Sequence, residues 1–465
     1  MRKEACPRCG VPALQPGASK CPACRAWIVE PPARPLGLGA LWAVAAALIT
    51  AGAGIGAVAA RIADAPSVPW LDAGHPAPPA SAVPVSAAAP PASAALPAPG
   101  ASDPTPAKPT APPAEVLWGD PRTLRVGAPP IDVAVSEDDQ TVFVLCQDGT
   151  LRALSAETGR EERRLALPGR PTRIRLLGGH YLAGLGAAGA FPVVDITRWT
   201  VAKLDLGGAA LDAVAAGDER AILAASADAP LVARFAPPAP GKPASSWRRD
   251  GRIFLPRPPT RLYATPFQLA ILAPAARPGE LGSIDLLDPR ATPFGAARLV
   301  FPIALDPDAA PLPAPGGIAV VDRGGTQLLR VSPPERIEIA PIAATPRGGV
   351  IGAFRLRDRY IVIIDAVGTA TVVSDPGGAA VATLALGAAP SDAALTPDGL
   401  ALLVALGDGP RGRGAETVVV SGDPPALSAR LATGAGSQAV SVGGAGRRAA
   451  VAAFWTRSVA VLEPR

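Results

Sequence analysis

Two hydrophobic patterns divide the chain. Residues 36–60, LGLGALWAVAAALITAGAGIGAVAA, form an apolar run without a charged side chain. As a helix this run would be about 37 Å long, which is enough to cross a hydrocarbon core about 30 Å thick. From residue 116 onward, short runs of Val, Ile and Leu alternate with turns of Gly, Pro and Asp. The first pattern predicts one transmembrane helix within 35–61, and the second predicts an all-β domain over 116–465.

Charges around the apolar run predict its orientation. Arg34 and Arg61 bracket it, and residues 1–34 carry six Lys or Arg side chains against two Glu. Lys and Arg are retained on the cytoplasmic side of a membrane, so the head should be cytoplasmic and the body extracytoplasmic. A cleavable signal peptide is the alternative, because AVA precedes Ala60. Signal peptides have a brief charged start and a shorter apolar core, so we favour a retained anchor.

Residues 62–115 are dominated by Pro and Ala, as in HPAPPASAVPVSAAAPPASAALPAPG. A segment of this composition has little apolar surface to bury and is typical of a disordered tether, partly in the polyproline II conformation. It predicts a spacer that holds the following domain away from the membrane.

Four of the five cysteines lie near the start of the chain as two CxxC pairs, Cys6 with Cys9 and Cys21 with Cys24. Two such pairs can present four thiolates to one Zn²⁺ in a closed tetrahedral site that leaves no position for a substrate. A segment as short as 1–34 cannot build a sufficient core, so the metal would supply most of its folding energy. The alternative is disulfides or redox-active pairs, which need an oxidising compartment or a thioredoxin-like context.

This stretch resembles the short zinc-ribbon family, whose pattern is CPxCG, a small polar loop and then CPxC. Arg25 departs from that pattern, because many members repeat a glycine there. The resemblance implies a structural zinc ribbon over 1–34 with Cys6, Cys9, Cys21 and Cys24 as ligands.

The body repeats a unit of four short strands. Residues 132–167 and 352–386 both show three apolar strands and then a fourth of alternating pattern, which is typical of one blade of an antiparallel propeller. We count eight units, and seven is the alternative because residues 230–310 are irregular. The last unit has three strands, and TLRVG at 123–127 can provide its fourth and so close the ring. The first strands of the units should begin near Ile131, Thr172, Asp212, Thr260, Phe301, Gly349, Asp392 and Ala439.

These repeats resemble the beta-propeller superfamily with WD40-like or YVTN-like units. The turns SEDDQT at 136–141 and TPDG at 396–399 are similar to the SPDGK turn of YVTN-type repeats. The GH and WD dipeptides of WD40 blades do not recur. The resemblance implies an all-β propeller of seven or eight four-stranded blades, and it implies no particular activity.

No catalytic constellation stands out in the body. His180 is its one histidine, so a His cluster for a metal-dependent hydrolase is lacking, and no GxSxG elbow occurs. Cys146 alternates like a core position and is interpreted as a buried structural thiol. Glu137, Asp138 and Asp139 could form a calcium loop, but a solvated hairpin turn is the simpler interpretation.

Two basic segments of the body, WRRDGR at 247–252 and GPRGRG at 409–414, are interpreted as loops. Arg-rich loops near an aromatic residue can bind acidic proteins, phosphates or sulfated glycans. An isolated basic turn is otherwise a solvent loop. The candidate partner-binding residues are Trp247, Arg248, Arg249, Arg252, Arg411 and Arg413.

These features together predict a single-span membrane protein. Abundant Ala, Gly, Pro and Arg point to a high-GC bacterium, so the propeller is expected in the periplasm, outside the inner membrane. The nearly neutral body argues against nucleic-acid binding. Gly52 and Gly56 have GxxxG spacing, which can support a weak helix-mediated dimer.

The predicted function is binding or scaffolding by the propeller, without enzymatic activity. One alternative is a lactonase-like or lyase-like propeller enzyme, which would require convergent Asp, Glu, Asn or Arg side chains at the central channel. The other is a membrane-tethered regulator that acts through the zinc ribbon.

Overall fold

The computed structural model describes residues 118–465, except 190, 217–220, 240–241, 243–245, 266–267, 276, 278–279, 315–316, 323, 333–335, 344–345, 347 and 408–414. The predicted zinc ribbon (1–34), transmembrane helix (35–61) and tether (62–115) lie outside these residues. The described part of the chain has 32 strands in eight antiparallel sheets of four strands each. A 3₁₀ turn lies at Gly178–His180. No helix in the described segments is long and apolar enough to cross a membrane.

Each sheet is one blade of a propeller, and the first strands of neighbouring blades contact one another around a central channel. The blades are numbered in chain order. Blades 1 to 4 consist of β2 Pro130–Val135, β3 Thr141–Cys146, β4 Thr150–Ser155 and β5 Glu161–Ala166; β6 Arg173–Leu177, β7 Tyr181–Leu185, β8 Phe191–Asp195 and β9 Thr200–Leu204; β10 Ala210–Ala215, β11 Ile222–Ser226, β12 Leu231–Ala236 and β13 Arg248–Phe254; and β14 Arg261–Ala264, β15 Leu269–Ala273, β16 Gly282–Leu287 and β17 Leu299–Ile303.

The second half of the ring repeats the same arrangement. Blades 5 to 7 consist of β18 Ala310–Ala314, β19 Gly317–Asp322, β20 Gln327–Ser332 and β21 Arg336–Pro341; β22 Val350–Leu356, β23 Tyr360–Asp365, β24 Thr369–Ser374 and β25 Ala380–Ala385; and β26 Pro390–Leu395, β27 Ala401–Leu406, β28 Glu416–Ser421 and β29 Ala426–Ala432. The count of eight blades is thereby confirmed over seven.

Blade 8 closes the ring with strands from both ends of the propeller. It combines β30 Ser437–Val442, β31 Ala449–Ala453 and β32 Ser458–Leu462 with β1 Arg122–Arg125 as its outer strand. β1 pairs antiparallel with β32 over four residue pairs. The expectation that TLRVG would supply the missing fourth strand is therefore confirmed. Because the ring is closed, every blade has a neighbouring blade on each side.

The core consists of eight hydrophobic clusters among the described residues, one at each contact between neighbouring blades. In β3, Val142 and Val144 face blade 8, while Phe143 and Leu145 face blade 2. The middle strands are buried on both faces because a blade lies on each side, which explains their continuous apolar runs. The outer strands alternate between partly buried and exposed positions, as most of β25 does.

Three aspartates join neighbouring blades at the channel. Asp132, Asp212 and Asp392 each follow a bulge in the first strand of their blade. A bulge re-aims a side chain, and here each carboxylate accepts a hydrogen bond from a backbone N–H of another blade. The donors are Ile174 N at 2.7 Å, Leu262 N at 2.9 Å and Val440 N at 3.0 Å, respectively.

One predicted strand start was wrong. Phe301 lies in β17, the outer strand of blade 4, and the first strand of blade 5 begins at Ala310. Pro311 and Pro313 made that segment look like a turn. They are tolerated because a first strand is an edge of its own sheet, and its channel side has no ladder partner. The other seven starts lie within about two residues of the observed strands.

Candidate functional site

The segment WRRDGR is a strand, which corrects its interpretation as a loop. Residues Arg248–Phe254 form β13, the outer strand of blade 3. The first three residues of β13 are all exposed, so Arg248 and Arg249 face solvent. An outer strand has one side without a ladder partner, which presents backbone N–H and C=O groups to solvent.

A buried arginine fixes the position of β13. Arg234 of β12 donates from Nε to Asp250 Oδ1 at 2.9 Å and from Nη1 to the carbonyl oxygens of Pro289 and Ala291 at 3.0 and 2.9 Å. Its guanidinium also lies 5.0 Å from the ring centroid of Phe294. Asp250 is the extra residue of a bulge in β13. The one carboxylate of this strand is therefore paired inward, and the remaining charges on the strand are positive.

Phe254 is the most exposed large apolar side chain among the described residues, at 62%. The Arg252 guanidinium lies 5.2 Å from its ring centroid, a cation–π arrangement. Arg298 of blade 4 donates to the Phe254 carbonyl oxygen at 3.2 Å, which holds the end of the strand. We call the exposed side chains Arg248, Arg249, Arg252 and Phe254 the blade 3 patch.

Asp205 and Tyr181, on the side of blade 2, contact the residues of this segment. Arg249 donates from Nη1 to the Asp205 carbonyl oxygen at 3.1 Å and lies 3.4 Å from its carboxylate. Trp247 is half-buried and packs edge-on against Tyr181, with ring centroids 5.1 Å apart. Trp247 is thus an anchor between blades, which differs from the free aromatic contact that the sequence suggested. The other candidate arginines, Arg411 and Arg413, lie outside the described residues, as do Cys6, Cys9, Cys21 and Cys24.

The chemistry of the blade 3 patch suits a protein partner. Aromatic and Arg side chains dominate binding energy at protein interfaces. The patch offers both on one strand, with three guanidiniums and no unpaired carboxylate. An acidic segment with an apolar side chain would complement it.

The turn that could have held calcium is a hairpin turn between β2 and β3. Asp138 Oδ1 accepts from Ser136 Oγ at 2.6 Å and Gln140 N at 3.0 Å, and these hydrogen bonds lower the pKa of Asp138. Asp139 points to blade 8, where its Oδ2 accepts from Arg447 N at 2.7 Å. Within the described residues, no three His, Cys, Asp or Glu side chains are grouped to hold a metal ion.

His180 and Cys146, the one histidine and the one cysteine of the body, lie in different surroundings. His180 is exposed at the end of the 3₁₀ turn and lines, with Glu137 and Asp138, a groove of about 510 Å³ between blades 1 and 2. Cys146 is fully buried in the cluster between blades 8 and 1, and this burial raises the pKa of its thiol. The interpretation of Cys146 as a buried thiol is confirmed.

The charged residues of the central channel were not among the residues predicted from the sequence. Its cavity of about 790 Å³ is lined by Asp132, Arg173, Arg175, Arg261 and Asp392, among others. A signal was present, because DVAV, DAVA and DAAL recur at the starts of three units. The arginines carry no such pattern, so nothing in the sequence marked them.

No protein-family model matches the chain, and no curated protein matches it. Many solved structures are similar to the chain, and two of them are given by name. One is Kuenenia stuttgartiensis hydrazine synthase, at 16% identity and a TM-score of 0.46, covering 73% of this chain and 97% of that one. The other is U3-55K, at 11% identity and a TM-score of 0.48, covering 75% and 99%. The assignment as an eight-bladed propeller therefore rests on the strand pairing of this chain.

Proposed function

We propose that this protein is a single-pass bacterial membrane protein whose extracytoplasmic propeller binds a protein partner through the blade 3 patch. The observation that carries the proposal is Phe254, 62% exposed and covered on one face by Arg252. An aromatic side chain left in water costs free energy that a partner recovers on binding. The propeller fold generally serves as a binding or scaffolding module, which is consistent with this role.

The partner is expected to be acidic around an apolar side chain. Arg248 and Arg252 form no hydrogen bond with any described residue, so their guanidiniums are available to carboxylates. Attraction between exposed charges is screened over about 8 Å at physiological ionic strength. Binding at this patch should therefore weaken as salt is added.

Binding is proposed in preference to catalysis. The channel does bring Asp and Arg side chains together, as the enzyme alternative required. However, both oxygens of Asp132 and of Asp212 accept backbone N–H groups, which commits these carboxylates to holding the blades. A general base must instead reach a substrate proton.

A photo-cross-linking amino acid placed at position 254 of the full chain tests the patch. The matched control is the same amino acid at Val381, an exposed residue of the outer strand β25 of blade 6. The expected result is one discrete adduct from position 254, absent from position 381, and lost when Arg248 and Arg252 are both changed to Glu. Equal adducts from both positions, or an adduct that survives the charge reversal, would contradict the proposal.

The head of the chain is proposed to be a cytoplasmic zinc ribbon, joined through the helix within 35–61 and the tether 62–115. Four cysteine thiolates are a donor set that fits Zn²⁺. Purified full chain should contain one zinc per molecule, and Cys6→Ser with Cys21→Ser should abolish it. Cys146→Ser is the matched control and should leave the zinc content unchanged. Zinc absent from the unaltered chain would refute the ribbon.

The membrane topology has a separate test. A reporter that is active only outside the cytoplasm should work when fused after Arg465 and fail when fused at Met1. The reverse result would place the propeller in the cytoplasm and remove the proposed anchor orientation.

A further inference from the structure

We propose that the central channel binds a small polyvalent oxyanion, a carboxylate or a phosphate compound, through Arg173 and Arg261. This site is separate from the blade 3 patch, because the channel is lined by first strands and the patch lies on an outer strand. The cavity of about 790 Å³ has the size of a small-molecule pocket, which is typically about 300–1,000 Å³.

The carboxylates of the channel are directed into its wall. Asp132 and Asp212 are buried, at 8% and 4% exposure. Each uses one oxygen for the N–H of the following residue at 2.9 Å and the other for a neighbouring blade. Asp392 is partly buried and bridges to Val440 in the same way. The structural role of these residues therefore keeps their oxygens away from the lumen.

The guanidiniums face the lumen instead. Arg173 and Arg261 are both exposed, although each begins a first strand that lines the channel. Arg175 is paired with Asp212. Neither Arg173 nor Arg261 forms a hydrogen bond or ion pair with another described residue. The surface that a solute in the channel would meet is thus more cationic than the sum of the charges suggests.

The positive charges of the channel arginines also repel one another. Burial lowers the pKa of Arg261, the charge of Asp212 opposes this effect, and the positive charges of Arg173 and Arg175 lower the pKa further. A bound anion would relieve this repulsion. A guanidinium presents two parallel N–H groups to a carboxylate or phosphate, which makes it the preferred residue for recognising either group. Gln438 of blade 8 adds a neutral amide to the lining.

The channel carboxylates would oppose this ligand when they ionise. Burial and then the nearby Asp392 raise the pKa of Asp132 from 3.8 to about 7, and burial raises the pKa of Asp392. Asp132 gains negative charge as the pH rises through about 7, so an anion whose own charge is constant over this range should bind more tightly at pH 6 than at pH 8. The charged groups in or beside the cavity are Asp132, Glu137, Arg173, Arg175, Asp212, Arg261 and Asp392.

Calorimetric titration of the full chain, purified in a mild non-ionic detergent, tests the site with citrate and with pyrophosphate. The expected result is saturable binding of at least one of them, and which one binds distinguishes a carboxylate ligand from a phosphate ligand. Changing Arg173 and Arg261 to Gln should weaken binding by at least about tenfold, because each removes a charged hydrogen-bond donor. Arg160→Gln, in the exposed turn between β4 and β5, is the matched control and should bind as the unaltered chain does.

Two further measurements test whether the double variant is folded and whether charge alone is sufficient for binding. The unfolding temperature of the double variant shows that it is folded, and Arg261→Lys, which keeps the charge and loses the planar fork, should give intermediate affinity. Failure of both anions to bind, or unchanged affinity in the double variant, would overturn the proposal. The adduct at position 254 does not depend on Arg173 or Arg261, so failure here would leave the proposed protein-binding function standing.

Discussion

Replacing Asp132 by Asn is expected to destabilise the folded protein at acid pH and to stabilise it at pH 8. The folded protein raises the pKa of this buried carboxyl to about 7, against 3.8 for the free group, through desolvation and then the charge of Asp392. Between these two values the folded state keeps a proton that the unfolded state has released. The free energy of unfolding therefore declines as pH rises from about 4 to about 7, and the decline is complete above the folded pKa.

The size of the decline follows from the pKa difference of about three units. Each unit corresponds to 1.36 kcal/mol, so ionisation of Asp132 lowers the free energy of unfolding by about 4 kcal/mol. Because Asn cannot ionise, the free energy of unfolding of the variant does not show this decline. It also replaces one acceptor oxygen with an NH₂ group, which leaves either Val133 N or Ile174 N unsatisfied at a cost of about 1–3 kcal/mol at every pH. The variant should be less stable at pH 4.5 and about 1–3 kcal/mol more stable at pH 8.

Urea unfolding of residues 116–465, followed by tryptophan fluorescence from pH 4.5 to 8, measures this crossover. All 32 strands of the described ring lie within that range. Asp212→Asn is the matched control. Asp212 makes the same two backbone contacts but is paired with Arg175, so its replacement should lower stability at pH 8. An Asp132→Asn variant that is less stable than the unaltered propeller at pH 8 would refute the reasoning.

Three other predictions concern packing. Leu124→Ala should lower the free energy of unfolding by about 2–5 kcal/mol, because Leu124 is 5% exposed in the closing strand. Thr123 is exposed in the same strand, so Thr123→Ala, measured by the same urea titration, should change the free energy of unfolding little. Equal effects of the two substitutions would argue against closure by β1. Gly368→Ala should lower the unfolding temperature more than Gly207→Ala, since both have positive φ but the new Cβ would lie 2.4 Å from a backbone oxygen only at Gly368; equal shifts would contradict the packing argument. Cys146 should react with iodoacetamide only after unfolding, because its thiol is buried and its pKa is raised; rapid modification of the folded chain would show that the cluster between blades 8 and 1 opens.

The blades could be predicted because their pattern is local. A middle strand such as β27, ALLVAL, is buried on both faces and reads as an unbroken apolar run. An outer strand such as β25 alternates because one face meets solvent. Four such strands with short turns are sufficient to mark a unit. The local pattern is misleading at Ala310–Ala314, where proline in an edge strand resembles a turn.

The sites could not be predicted because they depend on which strand lies at the channel and which lies at the rim. Arg173 and Arg261 are far apart in sequence, and the closed ring brings both to one cavity. WRRDGR carries the charges of a loop, yet Asp250 is paired with Arg234 on the adjacent strand, and this partly buried ion pair holds the segment as a β-strand. Neither fact has a local signature in the sequence.

The positions of the two proposed sites predict different responses to solvent conditions. The blade 3 patch is exposed at the rim, so added salt should weaken its binding by screening, while pH changes between 6 and 8 should have little effect because its charged groups are guanidiniums. The channel arginines line a cavity inside the ring, beside Asp132, whose charge changes in the same range. Their anion binding should therefore respond to pH. Separate titrations with salt and with pH can thus assign an observed interaction to the rim or to the channel before any partner is identified.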